Sequence, residues 1–154
     1  MKIPYRCFSD LCTSIMKSIS IIFVDDHPLI RKAWAFIIEN DSRFKLMATC
    51  ESGEDAVEKT KQLCPDVVIM DIRLKGINGI EATRLIRNYC PGTKIIGLSF
   101  HSQAHQAQQI IESGAMGYLT KLSNPEEIFK AIIEVHKGKS FICQEMAGKL
   151  IIAA

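Results

Sequence analysis

The chain has 154 residues, of which 47% are hydrophobic and 23% charged, and a formal net charge of +2 from 19 basic and 17 acidic side chains. This length suits one domain with one core, and the composition is that of an ordinary globular protein. The small net charge gives no argument for binding to nucleic acid or to an anionic membrane. No apolar run approaches the roughly 20 residues that a membrane span requires.

The amino-terminal residues and the cysteines both favour a cytoplasmic protein. Residues 1–18 carry scattered charges and lack the sustained apolar core of a signal peptide, so we expect them to form a poorly ordered leader. The six cysteines include no C-x-x-C pair, which argues against a zinc site or a redox pair. Reduced thiols are the simplest interpretation.

The first two predicted strands are each followed by a predicted helix. Ser20–Val24 is an apolar run typical of a buried strand, and a helix is predicted from Pro28 to about Glu39. Phe44–Cys50 alternates more and is predicted to be a strand nearer an edge, after which Ser52 is expected to cap the next helix. The residues predicted to face the core on these two helices are Ile30, Ala33, Trp34, Ile37, Ala56, Val57, Thr60 and Leu63.

The third predicted strand is apolar throughout and ends at a carboxylate. Val67–Met70 run directly into Asp71, and such runs are typical of strands buried on both faces at the centre of a parallel sheet. After a loop that contains Gly76, a helix is predicted to begin at Gly79. Its predicted core-facing residues are Ala82, Leu85, Ile86 and Tyr89.

The remaining pattern adds two strands and two helices. Strands are predicted at Lys94–Ser99 and Gly117–Thr120, with a polar helix from Gln103 to about Ser113 between them. Asn124-Pro125 is a strong helix start, and the helix is predicted to continue to Lys137. Strands that alternate with helices in this way predict an α/β fold, a doubly wound five-stranded parallel sheet with helices on both faces. We expect one domain over residues 19–138, with residues 139–154 forming a linker or the start of an extra helix.

Polar side chains follow four of these strands at their carboxyl ends. They are Asp25 and Asp26 after the first strand, Asp71 at the end of the third, Ser99 at the end of the fourth and Lys121 after the fifth. Because the carboxyl ends of parallel strands share one edge, we expect these five groups to converge where open α/β sheets bind ligands.

The charges of this set indicate its chemistry. Three clustered carboxylates repel one another unless a cation lies among them, and an all-oxygen ligand set favours Mg²⁺ or Mn²⁺. A carboxylate beside such an ion can attack phosphorus and form an aspartyl phosphate. Lys121 would then neutralise the phosphoryl oxygens, and Ser99 would hydrogen-bond them.

These residues resemble the pattern of receiver domains of two-component response regulators, which have the flavodoxin/CheY-like fold. The segments Leu98–His101, Gly114–Lys121 and Pro125–Ile128 resemble the NarL/FixJ-type branch more narrowly. The match extends from about Ile19 to Lys137. Each motif alone has little specificity, whereas the ordered set at this spacing is strongly indicative.

The resemblance implies roles for individual positions. Asp71 matches the phosphoacceptor, which takes a phosphoryl group from a histidine kinase in a Mg²⁺-dependent reaction. Asp26 matches a direct metal ligand, Asp25 a ligand that acts through water, and the backbone carbonyl of Arg73 the third protein contact to the metal. The remaining matches are Ser99, the switch hydroxyl, Lys121, the phosphate-binding lysine, and Tyr118, the switch aromatic.

The resemblance also implies a partner surface and a regulatory role. The face formed by the fourth helix, the fifth strand and the fifth helix is expected to signal to a partner or to form a homodimer. A cytoplasmic phosphoacceptor, rather than an enzyme with its own substrate, is implied, with only self-phosphorylation and self-dephosphorylation chemistry. A DNA-binding transcription module typical of the branch is not recognisable here, so we expect this stretch to bind no nucleic acid itself.

Three positions depart from the family pattern. Phe100 follows Ser99 where small residues are common, and its ring is expected to narrow access to the phosphoryl group. Lys75 and Leu122 each stand where proline is common, which predicts a looser loop after Asp71 and puts a cis peptide after Lys121 in doubt.

Two interpretations remain open for several residues. His27 and His101 flank the site, and solvated loop positions are favoured over a ligand role. For Arg73, contact with the phosphoryl group and simple exposure remain equally open. Phe129 and Ile133 widen the apolar stripe of the fifth helix, which fits either core burial or a partner surface.

Two other functions compete with the signalling switch. A metal-dependent phosphohydrolase with an aspartyl nucleophile would need an acid two positions after Asp71, where Arg73 stands instead. A receiver-like module that binds without turnover is suggested by Phe100. Phosphorylation of Asp71 in the presence of Mg²⁺ distinguishes the switch from both.

Overall fold

A computed structural model describes residues 17–100 and 103–153 of the chain. The strands are β1 (Ile19–Val24), β2 (Phe44–Cys50), β3 (Val67–Asp71), β4 (Lys94–Ser99), β5 (Gly117–Thr120) and β6 (Phe141–Ile142). The helices are α1 (Pro28–Glu39), α2 (Gly53–Leu63), α3 (Gly79–Tyr89), α4 (Ala104–Glu112), α5 (Pro125–His136) and α6 (Gln144–Ala153). The predicted leader falls almost entirely outside the described residues.

The six strands form one parallel sheet in the order β2-β1-β3-β4-β5-β6, flanked by helices. The predicted α/β fold is confirmed, and β2 lies at one edge as its alternating pattern indicated. The prediction of five strands missed β6, which is two residues long and therefore has no readable periodicity. β6 and α6 lie in the stretch predicted to be a linker or an extra helix.

The inner strands hold the core. Each of the residues Val67, Val68, Ile69 and Met70 has no exposed surface, because β3 lies between β1 and β4 and is covered on both faces. The helix starts follow their sequence signals. The side chains of Ser52, Asn78 and Asn124 each accept a hydrogen bond from the backbone N–H three residues later, which stabilises the first turns of α2, α3 and α5.

Three residues predicted to face the core do not. Ala33 is exposed, Leu63 is 37% exposed and Tyr89 is 59% exposed. Leu63 and Tyr89 are the last residues of their helices. The Tyr89 ring instead receives the Lys61 ammonium 3.7 Å from its centroid, a cation–π contact at the surface.

The widened stripe of α5 belongs to the core. Phe129 and Ile133 are partly buried against it, and the Phe129 ring stacks on Phe44 with centroids 5.3 Å apart. The described cysteines, Cys50, Cys64, Cys90 and Cys143, are free thiols. Among the described residues, no helix is both long enough and apolar enough to cross a membrane.

Candidate functional site

The carboxyl ends of β1, β3, β4 and β5 meet at one edge of the sheet, and the predicted polar residues meet there too. Asp25 is 0% exposed and Asp71 is 1% exposed, while Ser99 and Lys121 are also buried. These side chains are buried at the sheet edge because each belongs to a residue that ends a core strand or directly follows one. The sequence therefore predicted their convergence correctly.

Lys121 lies between two carboxylates. Its ammonium Nζ is 2.7 Å from Asp25 Oδ2 and donates a hydrogen bond of 3.0 Å to Asp71 Oδ2. Each of the three side chains is nearly inaccessible to solvent, so little water screens their charges. A single cation cannot balance this group together with the third acid, Asp26, and the centre keeps an excess of negative charge.

His27 contacts both members of the acidic pair, which the sequence interpretation as a solvated loop residue missed. Its Nδ1 is 3.0 Å from Asp25 Oδ1 and 2.9 Å from Asp26 Oδ1, and its backbone N–H also donates to Asp25 Oδ1. The His27 side chain is still 56% exposed, as expected for a solvated loop residue. No periodicity could signal this contact, because it depends on the turn between β1 and α1. His101 lies outside the described residues.

The residues present fit a hard divalent cation. Ligand atoms of Asp25, Asp26, His27 and Asp71 all lie within 4.8 Å of one another. Two carboxylate oxygens of this group are buried and have no partner in hydrogen-bond geometry among the described residues, although Lys121 Nζ lies 2.7 Å from Asp25 Oδ2 and His27 Nδ1 lies 2.9 Å from Asp26 Oδ1. Three clustered carboxylates are the donors that Mg²⁺ and Mn²⁺ prefer, and a divalent cation would offset the negative charge that Lys121 alone does not balance. The backbone carbonyl of Arg73 as a further ligand stays a prediction.

Burial sets the protonation of Asp71. Loss of water and repulsion by Asp25 raise the pKa of Asp71 to about 6, although the Lys121 hydrogen bond and charge and the Arg73 backbone N–H all lower it. The Arg73 N–H donates to Asp71 Oδ1 at 3.1 Å. A carboxylate that is ionised at neutral pH, yet poorly solvated, is suited to act as a nucleophile beside a cation.

Ser99 connects the acidic centre to Tyr118. The Ser99 hydroxyl lies 3.4 Å from Gln106 Oε1 of α4, and a hydrogen bond from Ser99 lowers the pKa of Tyr118, which burial raises more strongly. Tyr118 has no exposed surface. Gln106 was not predicted, because one glutamine on a polar helix has no distinguishing pattern.

A cavity of about 190 Å³ opens onto this centre and is lined by His27, Asp71, Arg73, Ser99, Phe100 and Lys121. The Phe100 ring centroid lies 4.6 Å from Lys121 Nζ, and the ring meets the His27 ring nearly at right angles with centroids 6.0 Å apart. The ring therefore forms one wall of the cavity, and its effect on access to the phosphoryl group stays a prediction. All described peptide bonds are trans, including the one between Lys121 and Leu122.

Residues 21–133 match the family model described as the response regulator receiver domain. The chain belongs to this family. Response regulator UvrY of Escherichia coli K12 is 35% identical over 135 residues, which cover 88% of this chain and 62% of UvrY. The transcriptional regulatory protein DegU of Brevibacillus brevis is 36% identical over 134 residues, covering 86% and 56%. This receiver chain thus spans about three fifths of the length of the curated relatives it matches.

Solved structures place the receiver in the same branch. A two-component response regulator of the LuxR family from Aurantimonas sp. SI85-9A1 superposes with a TM-score of 0.84 at 31% identity, covering 89% of this chain and 98% of that one. The signal receiver domain assigned to NarL of Mycobacterium tuberculosis gives a TM-score of 0.77 at 28% identity, covering 80% and 99%. The predicted family and its NarL/FixJ-type branch are confirmed, and the protein is a receiver domain of a two-component response regulator.

Proposed function

We propose that Asp71 is the phosphoacceptor of this receiver and that a histidine kinase is its donor. The observation that carries the proposal is the position of the Asp71 carboxylate, which is buried, 3.0 Å from Lys121 Nζ and open to a cavity that Ser99 also lines. This arrangement presents an oxygen nucleophile beside a cation and a hydroxyl donor, which are the groups that phosphoryl transfer needs.

The proposed reaction assigns one task to each side chain. An Asp71 carboxylate oxygen attacks the phosphorus of phosphohistidine, the P–N bond breaks as the new P–O bond forms, and the leaving imidazole takes up a proton. Lys121 attracts the phosphoryl oxygens and Ser99 donates a hydrogen bond to them. Asp25, Asp26, Asp71 and the Arg73 carbonyl would hold Mg²⁺ or Mn²⁺, which supplies positive charge to the transferring group when it is bound.

The direct test is phosphorylation by a small acyl phosphate in the presence of Mg²⁺, followed by intact mass. We expect one phosphoryl adduct on the unmodified chain and none on Asp71→Ala. Asp55→Ala is the matched control, because Asp55 is a partly buried acid that pairs with Lys59 and does not line the cavity. An undiminished adduct on Asp71→Ala, or no adduct on the unmodified chain, would defeat the proposal.

A second candidate is a receiver-like module that binds without phosphoryl turnover, favoured by the Phe100 ring over Lys121. Trp34 lies on α1, just after the acidic pair, and stacks on Phe23 with centroids 5.0 Å apart. A Mg²⁺-dependent change in Trp34 fluorescence without a phosphoryl adduct is the result expected of this candidate. Multiple-turnover release of phosphate from monoesters would instead favour the phosphohydrolase. That class needs an acid two positions after the nucleophile, where this chain has Arg73.

We further propose a cytoplasmic signalling role in which the switch serves a transcription regulator, since relatives such as DegU are transcriptional regulatory proteins. The stretch itself is proposed to bind no nucleic acid and to have no substrate of its own beyond its phosphodonor. A homodimer through the face of α4, β5 and α5 is part of this proposal. Such a dimer would have to accommodate β6, which pairs with β5, and α6, which packs against α4.

A further inference from the structure

His27 brings a nitrogen donor into a site that is otherwise built from oxygen. Its Nδ1 lies 3.0 Å from Asp25 Oδ1 and 2.9 Å from Asp26 Oδ1. Together with Asp71, these residues offer one nitrogen and three carboxylate oxygens that all lie within 4.8 Å of one another. The donor set therefore differs from the all-oxygen set that the sequence pattern indicated.

The imidazole is turned toward the acids rather than toward its own helix. His27 occupies the N-cap position of α1, where a side-chain oxygen normally accepts a hydrogen bond from the first helical N–H groups. The His27 side chain makes no such bond. The Phe100 ring packs against it nearly at right angles, with centroids 6.0 Å apart. Outer contacts of this kind orient the histidine ligands of metal sites.

The distances from Nδ1 fit a shared ion. Lys121 Nζ lies 2.7 Å from Asp25 Oδ2, so the other oxygen of Asp25, Oδ1, is the one that faces the imidazole. Neighbouring ligands of an octahedral ion with bonds of about 2.1 Å are about 3.0 Å apart. The separations of His27 Nδ1 from the two carboxylates match this spacing. Hydrogen bonds have the same length, so the kind of ion that binds, and not the distance, distinguishes the two roles of His27.

We propose that His27 Nδ1 is a metal ligand, and that it directs the acidic centre toward the later first-row transition ions, from Co²⁺ to Zn²⁺. The inference rests on the metal site of the proposed function and changes the class of ion that this site selects. Imidazole nitrogen suits transition ions, whereas Mg²⁺ takes oxygen ligands and retains its waters. Removal of this nitrogen therefore weakens the binding of Co²⁺ far more than the binding of Mg²⁺.

An ion held in this way stays beside the phosphoacceptor position, because the Asp71 carboxylate belongs to the same group of ligand atoms. Its positive charge remains available to the transferring phosphoryl group. The carboxylates thus fix where a divalent ion binds, and His27 decides which ion fills the site when several compete for it.

The first test compares the binding of Co²⁺ and Mg²⁺ to the complete, metal-free chain by calorimetry. We expect His27→Ala to weaken Co²⁺ binding at least about tenfold, which is the lower limit for losing even an outer-shell partner of a metal ligand, and to leave Mg²⁺ binding nearly unchanged. The turn should survive this change, because the backbone N–H of His27 still donates to Asp25 Oδ1. His136→Ala, which removes an exposed histidine at the end of α5, is the matched control and should affect neither ion. Unchanged Co²⁺ binding in His27→Ala, or an equal loss for both ions, overturns the inference.

The second test detects the nitrogen ligand directly. Proton NMR of the Co²⁺-loaded chain should show strongly shifted imidazole ring signals that excess Mg²⁺ displaces. These signals should be absent in His27→Gln, which keeps a polar side chain but has no imidazole. Shifted ring signals that persist in His27→Gln overturn the assignment, as does a Co²⁺ affinity of His27→Gln equal to that of the unmodified chain.

The two proposals fail separately. Intact mass after treatment with acyl phosphate and Mg²⁺ reports on Asp71 alone. A chain that accepts no phosphoryl group, yet binds Co²⁺ through His27, contradicts the proposed function and leaves the metal ligand established. A chain that is phosphorylated on Asp71, and whose preference between Co²⁺ and Mg²⁺ does not depend on His27, overturns the ligand role and leaves the phosphoacceptor in place.

Discussion

Lys121 and Asp71 form an ion pair at the sheet edge in which both side chains are 2% exposed, with 3.0 Å between Nζ and Oδ2. The same ammonium lies 2.7 Å from Asp25 Oδ2, so one cation serves two buried acids that come from different strands. In the absence of a divalent ion, Lys121 is the principal charge that holds these acids in the folded state.

Lys121→Met is expected to destabilise the chain strongly in Mg²⁺-free buffer. It leaves Asp25 and Asp71 buried and adjacent without the ammonium that lies between them, and breaking a buried ion pair in this way costs about 3–5 kcal/mol of the free energy of unfolding. Urea unfolding measures the loss, and added Mg²⁺ should restore part of it. Lys130→Met, at an exposed position of α5, should change the free energy of unfolding by less than about 0.5 kcal/mol. Similar losses in both variants would contradict this account.

Asp71→Asn is expected to stabilise the metal-free chain at pH 7. The pKa of Asp71 is about 6, above its ordinary 3.8, so the folded state holds this proton more tightly than the unfolded state. Stability from this group is therefore present below pH 3.8 and is lost as the pH rises to about 6. The shift corresponds to about 3 kcal/mol at pH 7. Urea unfolding of both chains at pH 4 and pH 7 should show the advantage of Asp71→Asn at pH 7 and little difference at pH 4.

Phe100→Ala is expected to speed both phosphorylation by a small acyl phosphate and loss of the phosphoryl group. The ring walls the 190 Å³ cavity and covers Lys121, so its removal opens the approach to Asp71. Time courses of intact mass measure both rates, and we expect increases of about tenfold, equal to about 1.4 kcal/mol of barrier. Leu122→Ala is the control, because Leu122 is 76% exposed and does not line the cavity. Rates that change equally in both variants would exclude a gating role for Phe100.

Gly79→Ala is expected to displace the backbone at Asp71 and so to disturb the candidate site. A Cβ at Gly79 would collide with the backbone carbonyl of Asp71, where the chain has no freedom to give way because Gly79 N–H also donates to Ile72 O at 2.9 Å. We expect a loss of at least about 2 kcal/mol in the free energy of unfolding, together with slower phosphorylation. Gly92→Ala is the control, since a Cβ there meets nothing within 4 Å. Comparable stability of the two variants would show that the Asp71 loop is more adaptable than this packing implies.

Much of the fold was readable from local pattern, and the misses have local causes. The apolar run of Val67–Met70 predicted a central strand correctly, because burial on both faces leaves no polar position. Tyr89 was misplaced because helical periodicity does not show that the last residue of α3 is exposed and contacts Lys61 instead of the core. β6 was missed because two residues that pair with Tyr118 and its neighbour have no period to read.

The sequence by itself determined the family, the parallel α/β sheet and the convergence of Asp25, Asp71, Ser99 and Lys121, since all of these follow from which residues end which strands. Tertiary structure alone decided the contacts of His27 with both acids and the pairing of Phe141–Ile142 with β5. These features join segments that are bent back by a turn or brought together across the sheet. Their energies come from distances between atoms that no spacing along the chain encodes.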